Sequence, residues 1–350
     1  MPKIPQHDAH HIVFGAGLIG CYLGASLIKS RQLLSLYIKP EKADELHAHY
    51  SISDYLGNTY TVSNLPNLVD KNNIDNLHEK ADVLWLTVKC TSLEDVIEEV
   101  KNCIDEQTII ICCQNGVNTH KGIKLAFPQN EVIRAMVPFN VVQKHPGNFH
   151  RSSEGNLTLE VTSTIETSIK WLVSQLASDN LPIDISYQMT ALQWAKLQLN
   201  LSNAVNALID VPVKEMLQDR RYRLVIALLM DELLKVTKKQ KIKLPKITNL
   251  PNKWLPVFLR LPNAIFNLLA QKMLTIDPLA RSSMFWDLSA NKTTEVDFIN
   301  GKVIDEAAKL DISAPGNRLI TALIKKREHG KTDTHVDILK RFDSLLKSHK

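Results

Sequence analysis

The sequence predicts an α/β fold in which a mostly parallel sheet fills the N-terminal half and an all-helical domain follows. Before residue 185, short apolar runs alternate with stretches of helical periodicity, as in sheets whose strands are joined by crossover helices. After residue 185 the pattern is mainly helical, beginning with MTALQWAKLQLNLSNAVNALI. A chain of 350 residues, 44% of them hydrophobic, can bury two cores. We therefore predict two domains, residues 1–186 and 187–350.

Six apolar runs predict the strands of the sheet. They are residues 12–14, 36–38, 83–88, 108–113, 132–137 and 157–161. In an open parallel sheet, ligands bind beyond the carboxyl ends of the strands. The residues that directly follow each strand are therefore the first candidates for a site.

Three glycines follow the first strand, in the stretch HHIVFGAGLIGCYLG. Gly15, Gly17 and Gly20 match the G-x-G-x-x-G pattern of a Rossmann-type dinucleotide-binding domain. In that pattern the first glycine makes a tight turn, the second lets the backbone approach a pyrophosphate, and the third lets helix and strand pack closely. The alternative is a glycine-rich turn that only packs tightly. The preceding apolar strand and the helical periodicity that follows favour the dinucleotide loop.

The second strand is followed by IKPEK. Lys39 stands where a fold that binds NAD usually has Asp or Glu to hold the ribose hydroxyls. A cation suits the 2′-phosphate of NADP, and Lys42 is a second candidate. The alternative is an ordinary solvated lysine, and Glu41 leaves NAD open.

The third and fourth predicted strands also end in polar residues. Lys89 closes WLTVKC, and Asn115 with Gly116 closes IIICCQNG. A solvated lysine and a plain Asn-Gly turn are the alternatives. Because both follow strands of one sheet that carries a glycine-rich loop, we favour a ligand site.

The helical half contains an unusual row of polar residues. Lys196, Asn200 and Asn203 fall at i, i+4 and i+7, which is one face of a helix. Asparagine is a poor helix former in an interior position, so the row indicates either a site or a solvated face. Further along, Glu295 follows two threonines, where a carboxylate in the first turn of a helix is the alternative to a functional role.

Composition excludes several classes of protein. The net charge of +5 is small, and the basic residues are spread along the chain, which disfavours a nucleic-acid partner. Five cysteines show neither C-x-x-C nor metal-ligand spacing, and their odd number favours a reducing compartment, so we expect a cytoplasmic protein without a metal. The sequence shows neither a signal peptide nor an apolar run long enough to span a membrane, and we expect no membrane partner.

The motifs GAGLIG, VKC, QNG, WAKLQLNLSNAVNAL, SSM, TTEVDFINGKVI and APGN follow one another along the chain. Taken together and in this order, they resemble the ketopantoate reductase (2-dehydropantoate 2-reductase) family. The resemblance implies an NADPH-dependent reductase of a small 2-oxo acid, 2-dehydropantoate foremost, and allows a homodimer. A related hydroxyacid or opine-type dehydrogenase and a non-catalytic NADP-binding sensor are the alternatives.

The resemblance also implies roles for individual residues. Lys196 matches the proton donor, and Glu295 matches the carboxylate that reaches the cleft from the helical domain. Asn200 and Ser283 match residues that hold the substrate, and Asn203 offers a further neutral partner. The residues that match cofactor contacts are Gly15, Ala16, Gly17, Leu18, Ile19, Gly20, Lys89 and Asn115.

The chain departs from the family at two places. Many members have a second asparagine eight residues after the lysine, where this chain has Ala204. Residues 244–280 are longer than in compact members, and for the apolar stretch 254–274 we favour an extra helical layer or a subunit contact over a pocket lid.

Overall fold

The computed structural model describes residues 9–74, 77, 79–271, 280–331 and 334–348. The chain forms two compact units, Met1–Met189 and Thr190–Lys350. The last strand of the first unit ends at Ser186, and the helix that leads into the second unit begins at Met189. The predicted boundary after residue 186 falls in the short connection between these two elements.

Among its described residues, the first unit contains the strands β1 His10–Phe14, β2 Leu33–Tyr37, β3 Ser51–Asp54, β4 Thr59–Thr61, β5 Asn67–Val69, β6 Val83–Leu86, β7 Ile109–Cys112, β8 Glu131–Met136, β9 Val141–His145, β10 Asn148–Arg151, β11 Leu157–Glu160 and β12 Ile183–Ser186. Eight of them form one sheet, in the order β12-β11-β8-β7-β6-β1-β2-β5. Across the sheet, the neighbours β5, β2, β1, β6, β7 and β8 all pair in parallel. If these six strands are numbered as they occur along the chain, their order in the sheet is 3-2-1-4-5-6, which is that of a Rossmann domain. The predicted mostly parallel sheet is confirmed.

Each of the six predicted strands is present, with ends shifted by a few residues. The prediction missed a second, four-stranded sheet of order β4-β3-β10-β9. It also missed that β11 runs antiparallel to β8. The predicted strand 83–88 ends at Leu86, and the hydroxyl of the next residue, Thr87, donates to Phe14 O and Gly15 O.

Two apolar layers cover the eight-stranded sheet. Successive residues of a strand point to opposite faces. On β1, Val13 therefore joins one core cluster, while Ile12 and Phe14 join the other. Burial on both faces explains why these strands are continuous apolar runs in the sequence. The helices of this unit are α1 Leu18–Lys29, α2 Pro40–Ala48, α3 Ile97–Lys101, α4 His120–Ala126 and α5 Glu166–Leu176.

The second unit is helical throughout its described residues, as predicted. Its helices are α6 Met189–Asn200, α7 Ser202–Ile209, α8 Val213–Gln218, α9 Arg220–Lys239, α10 Leu255–Leu259, α11 Asn263–Leu269, α12 Ser283–Ser289, α13 Val296–Lys309, α14 Pro315–Glu328 and α15 His335–Ser348. The long helix α9 is central, since α7, α8, α10, α13, α14 and α15 all pack against it. The apolar stretch 254–274 contains α10 and α11, which pack on α9 and α8, and residues 272–274 of the stretch lie outside the described residues.

None of the helices that the structure describes is long and apolar enough to cross a membrane. Among the same residues, no group of His, Cys, Asp and Glu side chains is arranged to hold a metal ion.

Candidate active-site residues

The glycine loop lies at the carboxyl end of β1. Gly15 has φ +112°, a conformation that disfavours residues with a side chain, and a Cβ there would lie 2.8 Å from Val88 Cγ1. A Cβ on Gly20 would overlap the carbonyl oxygen of Gly15, so this glycine allows α1 to pack tightly on the strand. The hydroxyl of Thr87 donates to Gly15 O at 2.7 Å and ties the loop to the end of β6.

Gly17 differs from its two neighbours in the motif. It is exposed, and a Cβ at this position would meet no atom of the chain within 4 Å. Gly17 is also the N-cap of α1, which begins at Leu18 without a side-chain cap and without an acidic residue in its first turn. The backbone N–H groups of a helix N-terminus attract phosphate. The open space and the uncapped helix therefore fit a pyrophosphate.

Lys89 and Asn115 follow neighbouring strands at the same edge of the sheet. The strand order reverses between β1 and β6, which is where a Rossmann domain binds its dinucleotide. Lys89 comes three residues after β6 and is exposed, and Asn115 follows β7. The Sγ atom of Cys90 donates to Asn115 O at 3.0 Å, so the two strand ends are joined directly.

Gln114 is a residue of this edge that the sequence did not single out. It is buried, and its Nε2 donates to Leu86 O at 2.7 Å and to Val88 O at 3.2 Å. These bonds fix the end of β7 against the segment that leads to Lys89. The only sequence signal is its place in QNG, between a buried strand and a turn.

Lys39 occupies the position that its sequence pattern predicts, two residues after β2, and its side chain is exposed. It is the N-cap residue of α2. Lys42 is engaged within the unit, since its Nζ lies 2.7 Å from Glu45 Oε2 and 3.2 Å from Gln143 Oε1. Of the two candidate lysines, Lys39 is the one that points to solvent.

Burial keeps two cysteines of this unit in the thiol form. It raises the pKa of Cys21 to about 12 and raises the pKa of Cys112 as well. A thiolate nucleophile is not formed at either position near neutral pH. Both cysteines act as small core residues.

In the second unit, the polar row lies across the end of one helix and the start of the next. Lys196 and Asn200 belong to α6 and Asn203 to α7, where the sequence predicts one helix. Leu201 between them keeps helical dihedrals, φ −57° and ψ −26°, and its N–H bonds Leu197 O at 3.1 Å. The three residues thus keep nearly helical spacing, and each is half-buried.

The start of α12 is attached to this row. The hydroxyl of Ser282, the N-cap of α12, donates to Asn203 O at 3.1 Å. The backbone N–H of Ser282 donates to Asn206 Oδ1 at 2.9 Å, and Asn206 Nδ2 donates to Val211 O. Asn206 is fully buried, so it is a structural asparagine. Ser283, the exposed first residue of α12, therefore directly follows Ser282, which is bonded to Asn203.

Glu295 is the N-cap residue of α13 and is nearly buried. The alternative to a functional role, a carboxylate at the start of a helix, is compatible with this position, although the side chain makes no capping hydrogen bond. Thr294 takes the capping role, because its Oγ1 accepts from Val296 N at 3.3 Å. The N–H and hydroxyl of Thr294 both donate to Glu328 Oε1, at 2.8 and 2.7 Å, which fixes the start of α13 against the end of α14.

The motifs NGKVI and APGN form a buried polar network. Asn300 Nδ2 donates to Asn317 Oδ1 at 3.0 Å, and the carboxylate of Glu232 accepts from the backbone N–H groups of Gly316 and Asn317. A Cβ on Gly316 would lie 3.1 Å from Glu232 Oε1, which explains the glycine. These residues join α9, α13 and α14, and we assign them a structural role.

The glycine loop and the strand order are those of a Rossmann-type dinucleotide-binding domain, which is here followed by a helical unit. The family models described as Ketopantoate reductase PanE/ApbA and Ketopantoate reductase PanE/ApbA C terminal match residues 11–163 and 188–328. The chain belongs to the ketopantoate reductase family, whose members reduce 2-oxo acids with a nicotinamide cofactor.

Individual relatives are distant. The 2-dehydropantoate 2-reductase of Lactococcus lactis subsp. lactis (strain IL1403) is 22% identical over 324 residues, which are 90% of this chain and 97% of that protein. The PanE/ApbA family ketopantoate reductase from Ralstonia eutropha JMP134 superposes with a TM-score of 0.75 at 23% identity, covering 92% of this chain and 99% of that one. A D-mandelate dehydrogenase solved with NADH and anilino(oxo)acetate superposes with a TM-score of 0.76 at 20% identity and the same coverage.

Proposed function

We propose that this chain reduces 2-dehydropantoate to pantoate with NADPH as the hydride donor. The main support for a substrate site is the hydrogen bond from Ser282 to Asn203, which attaches α12 to the polar row. Ser283 follows Ser282 and so lies in the neighbourhood of Asn203. A cation at Lys196 with neutral hydrogen-bonding side chains at Asn203 and Ser283 would suit a hydroxyl-bearing 2-oxo acid, which supports the proposal.

The cofactor fits the edge of the first unit. The residues that would hold it are the loop from Gly15 to Gly20, together with Lys89 and Asn115. Gly17 provides open space for a pyrophosphate at the start of α1. Lys39 favours NADPH over NADH because its exposed ammonium follows β2 at the position that faces the adenosine ribose in this fold. When bound, NADPH supplies the hydride that C2 of the substrate receives.

Lys196 acts as the proton donor. As C2 accepts the hydride, negative charge develops on the carbonyl oxygen, and a nearby ammonium stabilises that charge. The ammonium then gives its proton to the oxygen, which becomes the hydroxyl of the product. The neutral amine regains a proton from water. Glu295 is the carboxylate that keeps the cationic form of the lysine available.

Asn200, Asn203 and Ser283 hold the substrate through uncharged hydrogen bonds. A site built to bond a hydroxyl discriminates strongly against a substrate that lacks it, since buried polar groups are then left without partners. We therefore expect 2-oxoisovalerate, which lacks the terminal hydroxyl of 2-dehydropantoate, to be a poor substrate.

A different 2-oxo acid is the second candidate. The similarity in fold to a D-mandelate dehydrogenase and the fully buried Ala204 at a position where many family members have asparagine favour it. The chemistry of Lys196 is the same in both cases. The third candidate, a sensor without catalysis, has no use for an ammonium and a carboxylate at these positions.

The experiment is an absorbance assay for NADPH consumption with a panel of 2-oxo acids. The panel contains 2-dehydropantoate, 2-oxoisovalerate and an aromatic 2-oxo acid, each with and without an added amine. Consumption with 2-dehydropantoate alone supports the proposal. Consumption only with the aromatic acid keeps the mechanism and changes the substrate, amine-dependent consumption indicates an opine-type enzyme, and no consumption with any acid contradicts catalysis.

A further inference from the structure

The carboxylate of Glu45 ties α2 to the four-stranded sheet. Its Oε1 accepts from Gly147 N at 2.7 Å and from the side-chain amide of Gln143. Its Oε2 accepts from Lys42 Nζ at 2.7 Å, and the same ammonium donates to Gln143 Oε1 at 3.2 Å. Lys42 and Glu45 belong to α2, whereas Gln143 lies on β9 and Gly147 in the turn between β9 and β10. We call these four residues the clamp.

The clamp holds a helix that buries little apolar surface. All nine residues of α2 are described, and among them Leu46 alone is buried, while Ala43 packs partly on the core. Despite burial, which acts in the opposite direction, the hydrogen bonds from Lys42 and from Gly147 N lower the pKa of Glu45. The carboxylate is therefore charged near neutral pH, and hydrogen bonds to a charged group are stronger than neutral ones. The clamp is thus a main attachment of α2.

The turn of the sheet fits closely against the residue that follows α2. Gly147 has φ +72°, and a Cβ at this position would lie 1.8 Å from the carbonyl oxygen of His49. The carbonyl oxygen of Gly147 accepts from Ser51 N at 2.8 Å. Any side chain at position 147 would therefore push the turn away from the end of α2, because neither backbone has room for it.

The four-stranded sheet is itself anchored to α1. Phe149 of β10 is fully buried, and its ring meets that of Tyr50 edge-on with centres 6.0 Å apart. The hydroxyl of Tyr50 donates to Cys21 O of α1 at 2.5 Å. The N-cap of α1 is Gly17 of the glycine loop. The clamp therefore fixes α2 relative to the helix that starts at this loop.

Lys39 is the junction between β2 and α2. On one side, the backbone N–H of Ile38 donates to Val69 O at 2.8 Å, which holds the preceding residue in the eight-stranded sheet. On the other side, Lys39 is the N-cap of α2, and its carbonyl oxygen accepts from Lys42 N at 2.9 Å. Because the chain before Lys39 is fixed, a change in the direction of α2 is taken up by the dihedral angles of Lys39. The direction of its side chain then changes as well.

We propose that the clamp positions the Lys39 ammonium for NADPH, and that Lys42 holds α2 and does not contact the cofactor. Gln143 and Gly147 are then positioning residues that act through Lys39. The clamp acts on the proposed contact between Lys39 and the 2′-phosphate, so it rests on the proposed function. A cation held in place loses less conformational freedom when it binds a phosphate, and this raises affinity. NADH has no 2′-phosphate and gains nothing from the clamp.

The test is a fluorescence titration of the full chain with NADPH and with NADH, without substrate. Gln143→Ala and Gly147→Ala leave the charge of the chain unchanged, and each should weaken NADPH binding about three- to tenfold and NADH binding less than twofold. Lys42→Ala together with Gln143→Ala should weaken NADPH binding no more than Lys42→Ala alone, because both changes open the same clamp. Gly57→Ala is the matched control.

Gly57 suits this purpose because it also has a positive φ, +91°, and lies in the other turn of the same sheet, between β3 and β4. A Cβ on Gly57 would meet no atom within 4 Å, so the variant should bind both cofactors like the unaltered chain. Thermal melting of each variant verifies that the fold is retained.

The outcomes separate this proposal from the proposed function. Equal affinity of the unaltered chain for NADPH and NADH would contradict the cofactor preference and the clamp with it. A preference for NADPH that persists unchanged in Gln143→Ala and Gly147→Ala would overturn the clamp alone, as would equal weakening of both cofactors. Additive losses from Lys42→Ala and Gln143→Ala would make Lys42 a direct contact of the cofactor.

Discussion

The hydroxyl of Ser282 donates a 3.1 Å hydrogen bond to the carbonyl oxygen of Asn203. The same hydroxyl accepts from Phe285 N and so caps α12. One residue thus both starts a helix and attaches it to the polar row. Its neighbour Ser283 takes its position from this attachment.

Ser282→Ala should therefore impair substrate binding more than turnover. We expect a loss of stability of about 1 kcal/mol from the missing cap. The KM for the 2-oxo acid should rise several-fold, while kcat changes less, because Ser282 positions Ser283 and does not take part in proton transfer. Steady-state kinetics and thermal melting measure both effects. Ser289→Ala, at the exposed end of the same helix, should change neither.

Gly17→Ala should weaken cofactor binding, whereas Gly20→Ala should lower the stability of the fold. Alanine at Gly17 meets no atom of the chain, so the melting temperature should stay the same. The added methyl obstructs the pyrophosphate, and loss of a charge-assisted hydrogen bond should weaken NADPH binding about tenfold or more. Alanine at Gly20 overlaps the Gly15 carbonyl and should cost about 1–3 kcal/mol of stability. Calorimetry and cofactor titration separate the two, and equal melting temperatures of the two variants would contradict this assignment.

Lys39→Ala should reduce the preference for NADPH. A charge-assisted bond to the 2′-phosphate contributes about 1.5–3 kcal/mol, which corresponds to roughly ten- to hundredfold in affinity. We expect NADPH binding to weaken by that factor while NADH binding stays unchanged. Lys71→Ala, another exposed lysine of the same unit, is the control. Equal affinity of the unaltered chain for the two cofactors would show that Lys39 is a solvated lysine.

Glu306 should make the protein sensitive to acid. Despite burial, which acts in the opposite direction, hydrogen bonds and ion pairs with Lys302, Lys309 and Gln240 lower the pKa of Glu306 to about 2. A carboxyl group whose pKa is lower in the folded state stabilises the fold above its ordinary pKa, and this stabilisation is lost as the pH falls from about 5 through 2. Glu306→Gln should lower the free energy of unfolding at pH 7 by about 1–3 kcal/mol and flatten its pH dependence below pH 5.

Glu98→Gln is the matched control, because Glu98 pairs with Lys101 on the exposed surface. Such pairs contribute less than about 1 kcal/mol. Denaturant titrations at pH 7 and pH 3 measure the difference between the two variants. If both behave alike, Glu306 is no more than a surface ion pair.

Patterns local in the sequence predicted the parallel sheet and the glycine loop. The strands around Val13 are buried on both faces and appear as apolar runs, and the three glycines have fixed spacing. The second sheet was missed because its strands are short and mix polar with apolar residues, and because Ser51 pairs with Asn148 far along the chain. Such pairings leave no local signal.

The structural polar residues of the second unit were missed for the same reason. Asn206 bonds a residue 76 positions away, and Glu232 bonds Asn317 at 85 positions. Their partners lie on other helices, so helical periodicity alone does not reveal them. The break at Leu201 also has no sequence signal, since neither glycine nor proline occurs there.

The most direct test of the account compares the unaltered chain with Lys196→Ala in NADPH consumption with 2-dehydropantoate. We predict turnover by the unaltered chain, a loss of about 10²–10⁴ in kcat for the variant, and unchanged NADPH binding. Lys292→Ala, an exposed lysine, should keep full activity. A variant with nearly unaltered kcat would contradict the account, because the row of Lys196, Asn200 and Asn203 would then be an ordinary solvated helix face.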